Sequence, residues 1–467
     1  MSRRQIEPVR KKAGFTLVEV IVSIALIGMA FALAGSFINF SFTSEEKVES
    51  EYELQSELRL ATELLNQSIR NASVTFVMPG SASSDTIVDE WSYFGTSEDG
   101  SEIVHYVWKE EPDGSNGRHE KRVIVSKREG TTYSLKFNNQ TKTKLVGYKL
   151  ELHKEDGRTL SVSSTLAAIN SIAVDYNSSE QNPAAVIAYR TDERPKPGEG
   201  KKVTIVISMV IDDSGSMENK MDGTSTYNNA KKRKTIMKGK ADILIDSFTE
   251  NVVLGIVRFA SDANNPSGLT KLVDESTKVA AKNSIPTNAS GGTNTGDGLR
   301  RAYYQLKSYV KSSPDEEVLY YIILLTDGNP TYYSHTAWYN KYRYNDRKVA
   351  ADDYQIDDQN IDERGGTGSS DPYNNSLDYT KVVGERLLRA DTGMGIRTFV
   401  IGFSGVASDI TKARTIAEYC NPVGTDINTI YFEADSEESL GIAFDAIKES
   451  MLSEYWHIYG PYGKPEE

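Results

Sequence analysis

Cysteine is almost absent. Cys420 stands alone in 467 residues, so no disulfide can form within the chain. A lone thiol usually points to a reducing compartment; here the N-terminus argues otherwise, and the fold must manage without bridges. Histidine is scarce too. The five, at 105, 119, 153, 335 and 457, show no zinc-site spacing. There is no G-x-S-x-G, because Gly402-Phe403-Ser404-Gly405 is followed by Val406, and no G-K-[ST] phosphate loop, so Gly291-Gly292 does not cradle a nucleotide. Nothing here supports an enzyme. Positive charge is also short. The formal net charge is −13, which argues against nonspecific nucleic-acid binding, since that needs Lys and Arg to displace counterions. An acidic body suits cations.

Long apolar runs are missing except for one. Residues 15–40, FTLVEVIVSIALIGMAFALAGSFINF, hold a single charge, Glu19. That length suits a membrane-spanning helix. The flank Arg10, Lys11 and Lys12 should stay cytoplasmic. A secretory signal places its cleavage site after the apolar stretch; here Gly14 precedes it. Cleavage between Gly14 and Phe15 would remove the charges and keep the helix. Leu54, Leu58, Ala61, Leu65 and Ile69 then recur on one helical face, so the helix should continue beyond the apolar run, and Pro79-Gly80 close the region.

These residues resemble the type IV prepilin family: Gly14 before the cut, Phe15 as the new N-terminus, Glu19 as the fifth mature residue. The resemblance implies cleavage and N-methylation by a prepilin peptidase. It also implies that Glu19 meets the Phe15 amine of a neighbouring pilin subunit, and a carboxylate in an apolar segment does need a partner.

From about 85 to 192 short alternating stretches follow, at 102–108, 122–126, 133–137, 145–152 and 160–164. Pro112-Asp113-Gly114, Glu129-Gly130 and Asp156-Gly157 separate them. They predict an antiparallel meander with no chemical site. R-P-K-P-G-E-G-K-K (194–202) has the composition of a linker.

Beyond it, strands alternate with helices. Strands are predicted at 203–211, 252–259, 318–325 and 396–403, with Y-F-E at 431–433. Helices are predicted at 228–249, 296–311, 376–390, 407–418 and 436–450. The pattern means a mainly parallel sheet covered on both faces, which binds ligands beyond the carboxyl ends of its strands. Three loops fall there: D-D-S-G-S (212–216), G-G-T-N-T-G-D-G (291–298) and T-D-G (326–328). They offer Asp212, Ser214, Ser216, Thr293 and Asp327. Hard oxygen donors without His or Cys select Mg²⁺ or Mn²⁺ over zinc, and waters or an outside carboxylate would complete the shell.

This half resembles the von Willebrand factor A (vWA) domain over about 201–455. D-x-S-x-S, G-G-T-x-T and T-D-G supply all five positions of that family's metal-ion-dependent adhesion site. The resemblance implies one divalent cation, Mg²⁺ favoured, and a ligand Glu or Asp in its open position. Residues 329–375 exceed a minimal domain of this kind. Tyr332, Tyr333, Trp338, Tyr339, Tyr342, Arg343 and Tyr344 lie there, types enriched at interface hot spots. They are the candidate ligand rim. The acids at 352, 353, 357, 358 and 362 lack EF-hand spacing and read as a solvated run.

The expected architecture is an α+β pilin module (a long N-terminal helix on an antiparallel sheet) followed by an α/β doubly wound, mainly parallel vWA domain. Its parts are a leader at 1–14, a pilin module at 15–192 and a linker at 193–202. The vWA domain at 203–455 carries an insertion at 329–375, and 456–467 form a tail. Within the module, 15–40 is the transmembrane and filament-core helix, 41–70 its continuation and 85–192 the sheet. The expected function is a minor type IV pilin that displays an adhesion domain, at or near the pilus tip. Its ligand by family analogy is a host matrix glycoprotein such as fibronectin or fibrinogen. The alternative is a structural minor pilin that primes assembly, its head binding a bacterial partner. The precursor would sit in the bacterial inner membrane before assembly, and no nucleic acid is expected.

Overall fold

The computed structural model describes residues 16–84, 86–110, 117–140, 145–167, 172–175, 183–191, 202–248, 251–314, 316–336, 348–368, 371 and 373–461. The chain divides into two compact units at residues 193/194.

In the first unit, helix α1 spans Leu17–Asn71. Its stretch Leu17–Glu45 has a mean hydropathy of 2.5 and is long enough to cross a membrane. The side chains from Leu17 to Phe42 are exposed along it. Farther on the helix turns amphipathic: Leu54, Leu58, Ala61, Leu65 and Ile69 are buried against Phe94, Ile103, Leu135, Leu150 and Ile187.

Nine strands follow: β1 (Val74–Pro79), β2 (Ser92–Thr96), β3 (Ile103–Lys109), β4 (Arg118–Val125), β5 (Thr131–Gln140), β6 (Leu145–Lys154), β7 (Thr159–Ala167), β8 (Ile172–Asp175) and β9 (Ala184–Arg190). They form two sheets where one meander is predicted. β5-β6-β7 is a three-stranded meander; the other sheet has the order β4-β3-β2-β9-β1-β8. The difference lies in β1, β2, β8 and β9, which the alternation search passes over. V-T-F-V-M-P and A-A-V-I-A-Y-R are apolar on both faces, because each sits inside the sheet with a partner on either side. β1 also pairs in parallel with β8, so this sheet is mixed.

The second unit begins with β10 (Lys202–Asp212), then α2 (Arg233–Ser247), β11 (Val252–Phe259), β12 (Ala263–Lys271), α3 (Glu275–Asn283), α4 (Thr295–Lys307) and β13 (Glu316–Thr326). After the short strands β14 (Tyr332–His335) and β15 (Glu363–Gly366) come α5 (Asn375–Val383), β16 (Arg397–Gly402), α6 (Ala407–Cys420), β17 (Tyr431–Glu433) and α7 (Glu437–Tyr459). The sheet order is β12-β11-β10-β13-β16-β17. Every pairing is parallel except the β12 edge. β12 carries Pro266 and Gly268, residues tolerated at an edge and misleading to a strand search.

β10 explains the doubly wound form. Val206 and Val210 are buried with Leu299, Leu306, Val383 and Ile416 from α4, α5 and α6. Ile205, Ile207, Met209 and Ile211 are buried as well, and a strand's neighbours point to opposite faces. Both faces are therefore covered. The C-terminal end differs from expectation: α7 runs to Tyr459 and buries Tyr455, so residues 456–459 are helix rather than tail.

Candidate functional site

Parallel register brings two aspartates together. β10 and β13 are neighbours with Ile211 opposite Leu325. Both strands therefore end at one level, and Asp212 emerges beside Thr326 and Asp327. Asp212 is 1% exposed. Its Oδ1 accepts the Ser214 N–H at 2.9 Å, and its Oδ2 accepts the Thr326 hydroxyl at 3.1 Å and the Asp327 N–H at 3.4 Å. The Ser214 and Ser216 hydroxyls lie 3.0 Å apart.

The loop after β10 is joined to the loop that carries Thr293. Gly215 N–H donates to the Gly291 carbonyl at 3.0 Å and Ser290 N–H to the Asp213 carbonyl at 2.9 Å. Thr293 is buried and held by its backbone. Its N–H donates to the Thr331 hydroxyl at 2.9 Å; its carbonyl accepts the N–H groups of Thr331 at 2.8 Å and Tyr332 at 3.0 Å. Gly292 beside it must be glycine, since a Cβ there would fall 2.2 Å from the Tyr332 ring. Gly328 has φ +87°, and a Cβ there would meet the Asp409 carbonyl of α6 at 2.2 Å. The glycine of T-D-G thus lets the third loop turn tightly under α6.

Asp327 is 2% exposed. Its Oδ2 receives Arg233 Nη1 at 3.2 Å, while its buried Oδ1 has no hydrogen-bond partner. Burial and the neighbouring Asp327 charge push the Asp212 carboxyl up to about 7, against the pull of the Ser214 and Asp327 hydrogen bonds. Burial also raises Asp327; the nearby Ser216 hydroxyl, which makes no regular hydrogen bond to Oδ1, and Arg233 draw it back. Two carboxylates out of water with one guanidinium, which reaches only Asp327 Oδ2, lack positive charge. Among the described residues no group of three or more His, Cys, Asp or Glu is set to hold a metal, so any ion here depends on hydroxyls. Asp212, Asp327, Ser214, Ser216 and Thr293 suit a hard divalent cation on donor chemistry, and the buried Asp327 Oδ1 has no protein partner to displace. A cavity of about 480 Å³ lined by Thr204, Lys271, Tyr309 and Glu316 lies at the opposite, amino ends of the strands and takes no part.

The expected rim needs a correction. Tyr333 is 1% exposed and packs edge-on against Tyr354, their ring centroids 6.0 Å apart. In β14 neighbouring residues alternate, so Tyr332 and Tyr333 cannot both face solvent. Tyr332 is half-buried, with Arg364 stacked 4.8 Å above its ring. Trp338, Tyr339, Tyr342, Arg343 and Tyr344 lie outside the described residues. The described residues of the insertion pack onto the domain. β14 pairs with β15, and Arg300 of α4, fully buried, donates to the Gln359 carbonyl at 2.8 Å. Arg364 also grips both oxygens of Asp262 at 2.9 Å. Arg233 and Arg364 carry no sequence signal, one lying in the basic run 231–234 and the other beyond an acidic run.

At the N-terminus, Gly14 and Phe15 lie outside the described residues. Thr16 caps α1 and forms a capping box with Glu19, whose Oε2 accepts the Thr16 N–H at 3.0 Å.

Sequence comparison finds two families. The von Willebrand factor type A domain matches residues 205–445, and the prokaryotic N-terminal methylation motif matches 9–35. Among solved structures, the PilB minor pilin from Streptococcus sanguinis superposes with a TM-score of 0.63 at 24% identity, over 88% of this chain and 100% of that one. A point mutant of that pilin gives 0.65 at 25% identity with the same coverage. A curated relative, calcium-activated chloride channel regulator 1 of Equus caballus, is 32% identical over 123 residues, 26% of this chain. The match spans only 12% of that relative's length.

Proposed function

The chain belongs to the von Willebrand factor type A domain family, and on that premise we propose that it is a metal-dependent adhesin carried by a type IV pilus. It is a minor pilin with a vWA domain rather than an enzyme. The methylation motif and apolar helix make it a membrane precursor that then enters the pilus, with a processing peptidase and other pilin subunits as partners.

The adhesive reading rests on one observation: Asp212 and Asp327 are buried side by side, and Asp327 Oδ1 has no partner. Asp212, Ser214, Ser216, Thr293 and Asp327 would hold the ion. Mg²⁺ or Mn²⁺ suits this set, since every donor is a hard oxygen and none is nitrogen or sulfur; Mg²⁺ is favoured by the family resemblance. When bound, the ion supplies a Lewis-acid position for a ligand carboxylate. The chain does the rest. Its paired loops hold the hydroxyls in place, and Tyr332 with Arg364 provides a polar, aromatic surface beside Thr293. The second unit, Arg194–Tyr462, is bulky, which favours the tip of the filament over the shaft. A host matrix glycoprotein of the fibronectin or fibrinogen kind is the proposed ligand.

The test is adhesion of the purified full-length chain, in detergent, to immobilised fibronectin and fibrinogen with Mg²⁺ or with chelator. Binding lost in chelator and in Asp212→Ala or Thr293→Ala supports the proposal. Equal binding in all four conditions overturns it.

A further inference from the structure

Three cations follow one another at the start of α2, and they part company. Lys232 and Lys234 both turn to Glu218, Lys232 at 2.6 Å. Arg233 between them points inward, its side chain 3% exposed. Its Nη1 donates to Asp327 Oδ2 at 3.2 Å; its Nη2 donates to the Met221 carbonyl and to the Ser404 hydroxyl, both at 3.1 Å. Ser404 in turn donates to Asp409 Oδ2 at 2.9 Å. One guanidinium therefore ties the segment after β10, the end of β13 and the loop after β16.

Those contacts do not behave as an ordinary ion pair. A surface pair holds two groups that water would also satisfy. This one is sealed from water and shares its aspartate with the candidate ion site. Asp327 presents one oxygen to Arg233 and leaves the other, Oδ1, buried without a partner. A fixed positive charge at that place has two consequences. It offsets part of the repulsion between Asp212 and Asp327, so the loops keep their shape without an ion. It also repels any divalent cation that binds the same carboxylates.

Resting on the metal-dependent reading above, we infer that Arg233 is a built-in counter-cation that holds the ion-free site together and lowers its affinity for the divalent ion. It is a positioning residue. The site is thereby tuned to fill at high external Mg²⁺ rather than to scavenge the ion.

The test titrates Mn²⁺ into the full-length chain in detergent, by calorimetry or by the loss of free Mn²⁺ signal in electron paramagnetic resonance. Melting is recorded in chelator and in saturating Mn²⁺. For Arg233→Gln the inference expects Mn²⁺ to bind about tenfold tighter, because a neighbouring like charge is gone. It also expects a lower melting temperature in chelator and a larger rise on adding Mn²⁺. An affinity unchanged or weakened in Arg233→Gln overturns it. Arg233→Lys keeps the charge but loses the fork; its affinity should stay within about threefold of the unaltered chain, and a tenfold gain there would overturn the role of charge. That variant decides the matter if Arg233→Gln does not fold. Absence of Mn²⁺ binding by the unaltered chain overturns the metal reading and this inference with it. Binding there without a change in Arg233→Gln overturns this inference alone.

Discussion

Asp212→Asn separates what an ion needs from what the fold needs. Asp212 is 1% exposed, and burial with the Asp327 charge lifts its carboxyl from 3.8 to about 7. A carboxyl raised in the folded state favours folding while protonated. That stability is complete below the unfolded value of 3.8 and is lost as pH climbs through about 7. At pH 8 without a divalent ion, the buried charge therefore destabilises the second unit by roughly 4 kcal/mol. Asparagine removes the charge but sets an NH₂ where an oxygen stood. With the amide oxygen kept on the Ser214 N–H, the NH₂ faces the Thr326 hydroxyl and the Asp327 N–H. The hydroxyl can turn to accept; the N–H cannot. That mismatch costs about 2 kcal/mol.

The net gain is about 2 kcal/mol in chelator at pH 8, equivalent to a rise of about 4–8 °C in melting temperature for a unit of this size. Near pH 5 the native carboxyl is already mostly protonated, so the gain disappears. Mg²⁺ should stabilise the unaltered chain and leave Asp212→Asn where it was. The measurement is scanning fluorimetry of the detergent-solubilised full-length chain at both pH values, following the transition that Mg²⁺ moves. If Asp212→Asn melts at or below the unaltered chain in chelator at pH 8, Asp212 is not an uncompensated buried charge, and the principal argument for a cation falls.

Gly292→Ala forces a methyl group to within 2.2 Å of the Tyr332 ring, itself held under Arg364; urea unfolding should show a loss of about 2 kcal/mol, and Mg²⁺ affinity should fall with it. Arg364→Ala removes the Asp262 pair and the Tyr332 stack. The pair is partly exposed, so stability should change by no more than about 1 kcal/mol; Mg²⁺ titration should be unaltered while surface plasmon resonance shows weaker binding to the matrix ligand. Glu19→Ala should leave membrane insertion and leader cleavage intact but exclude the chain from pili, as read by immunoblot of sheared filaments.

The convergence of the three loops is legible because a parallel sheet ends its strands on one edge. Apolar runs at 203–211 and 318–325 suffice to say that Asp212 and Asp327 leave the sheet together. The amphipathic face of α1 is legible for a similar reason, as its five apolar positions repeat at the helical period. Elements escape where local pattern and environment disagree. β9 is apolar on both faces from Ala184 to Ala188 because it lies between β2 and β1, so nothing in that run alternates. β12 carries proline and glycine and still pairs, because an edge strand needs only one partner.

Side-chain direction is harder to read than element type. Composition alone marks Tyr332 and Tyr333 as equivalent, yet the strand puts one beside the Thr293 loop and the other in the core. Lys232, Arg233 and Lys234 form an unbroken basic run, and such a run usually reads as a solvated face. Here Lys232, in extended backbone just before α2, and Lys234 in its first turn both reach Glu218, while Arg233 turns inward; neighbouring residues on a helix do not share a face. Arginine at the middle position is then the informative detail. A lysine ammonium is a single point charge, whereas the guanidinium reaches Asp327, Ser404 and the Met221 carbonyl at once. Only a planar donor with several N–H groups can bridge three loops and still leave Asp327 Oδ1 uncommitted.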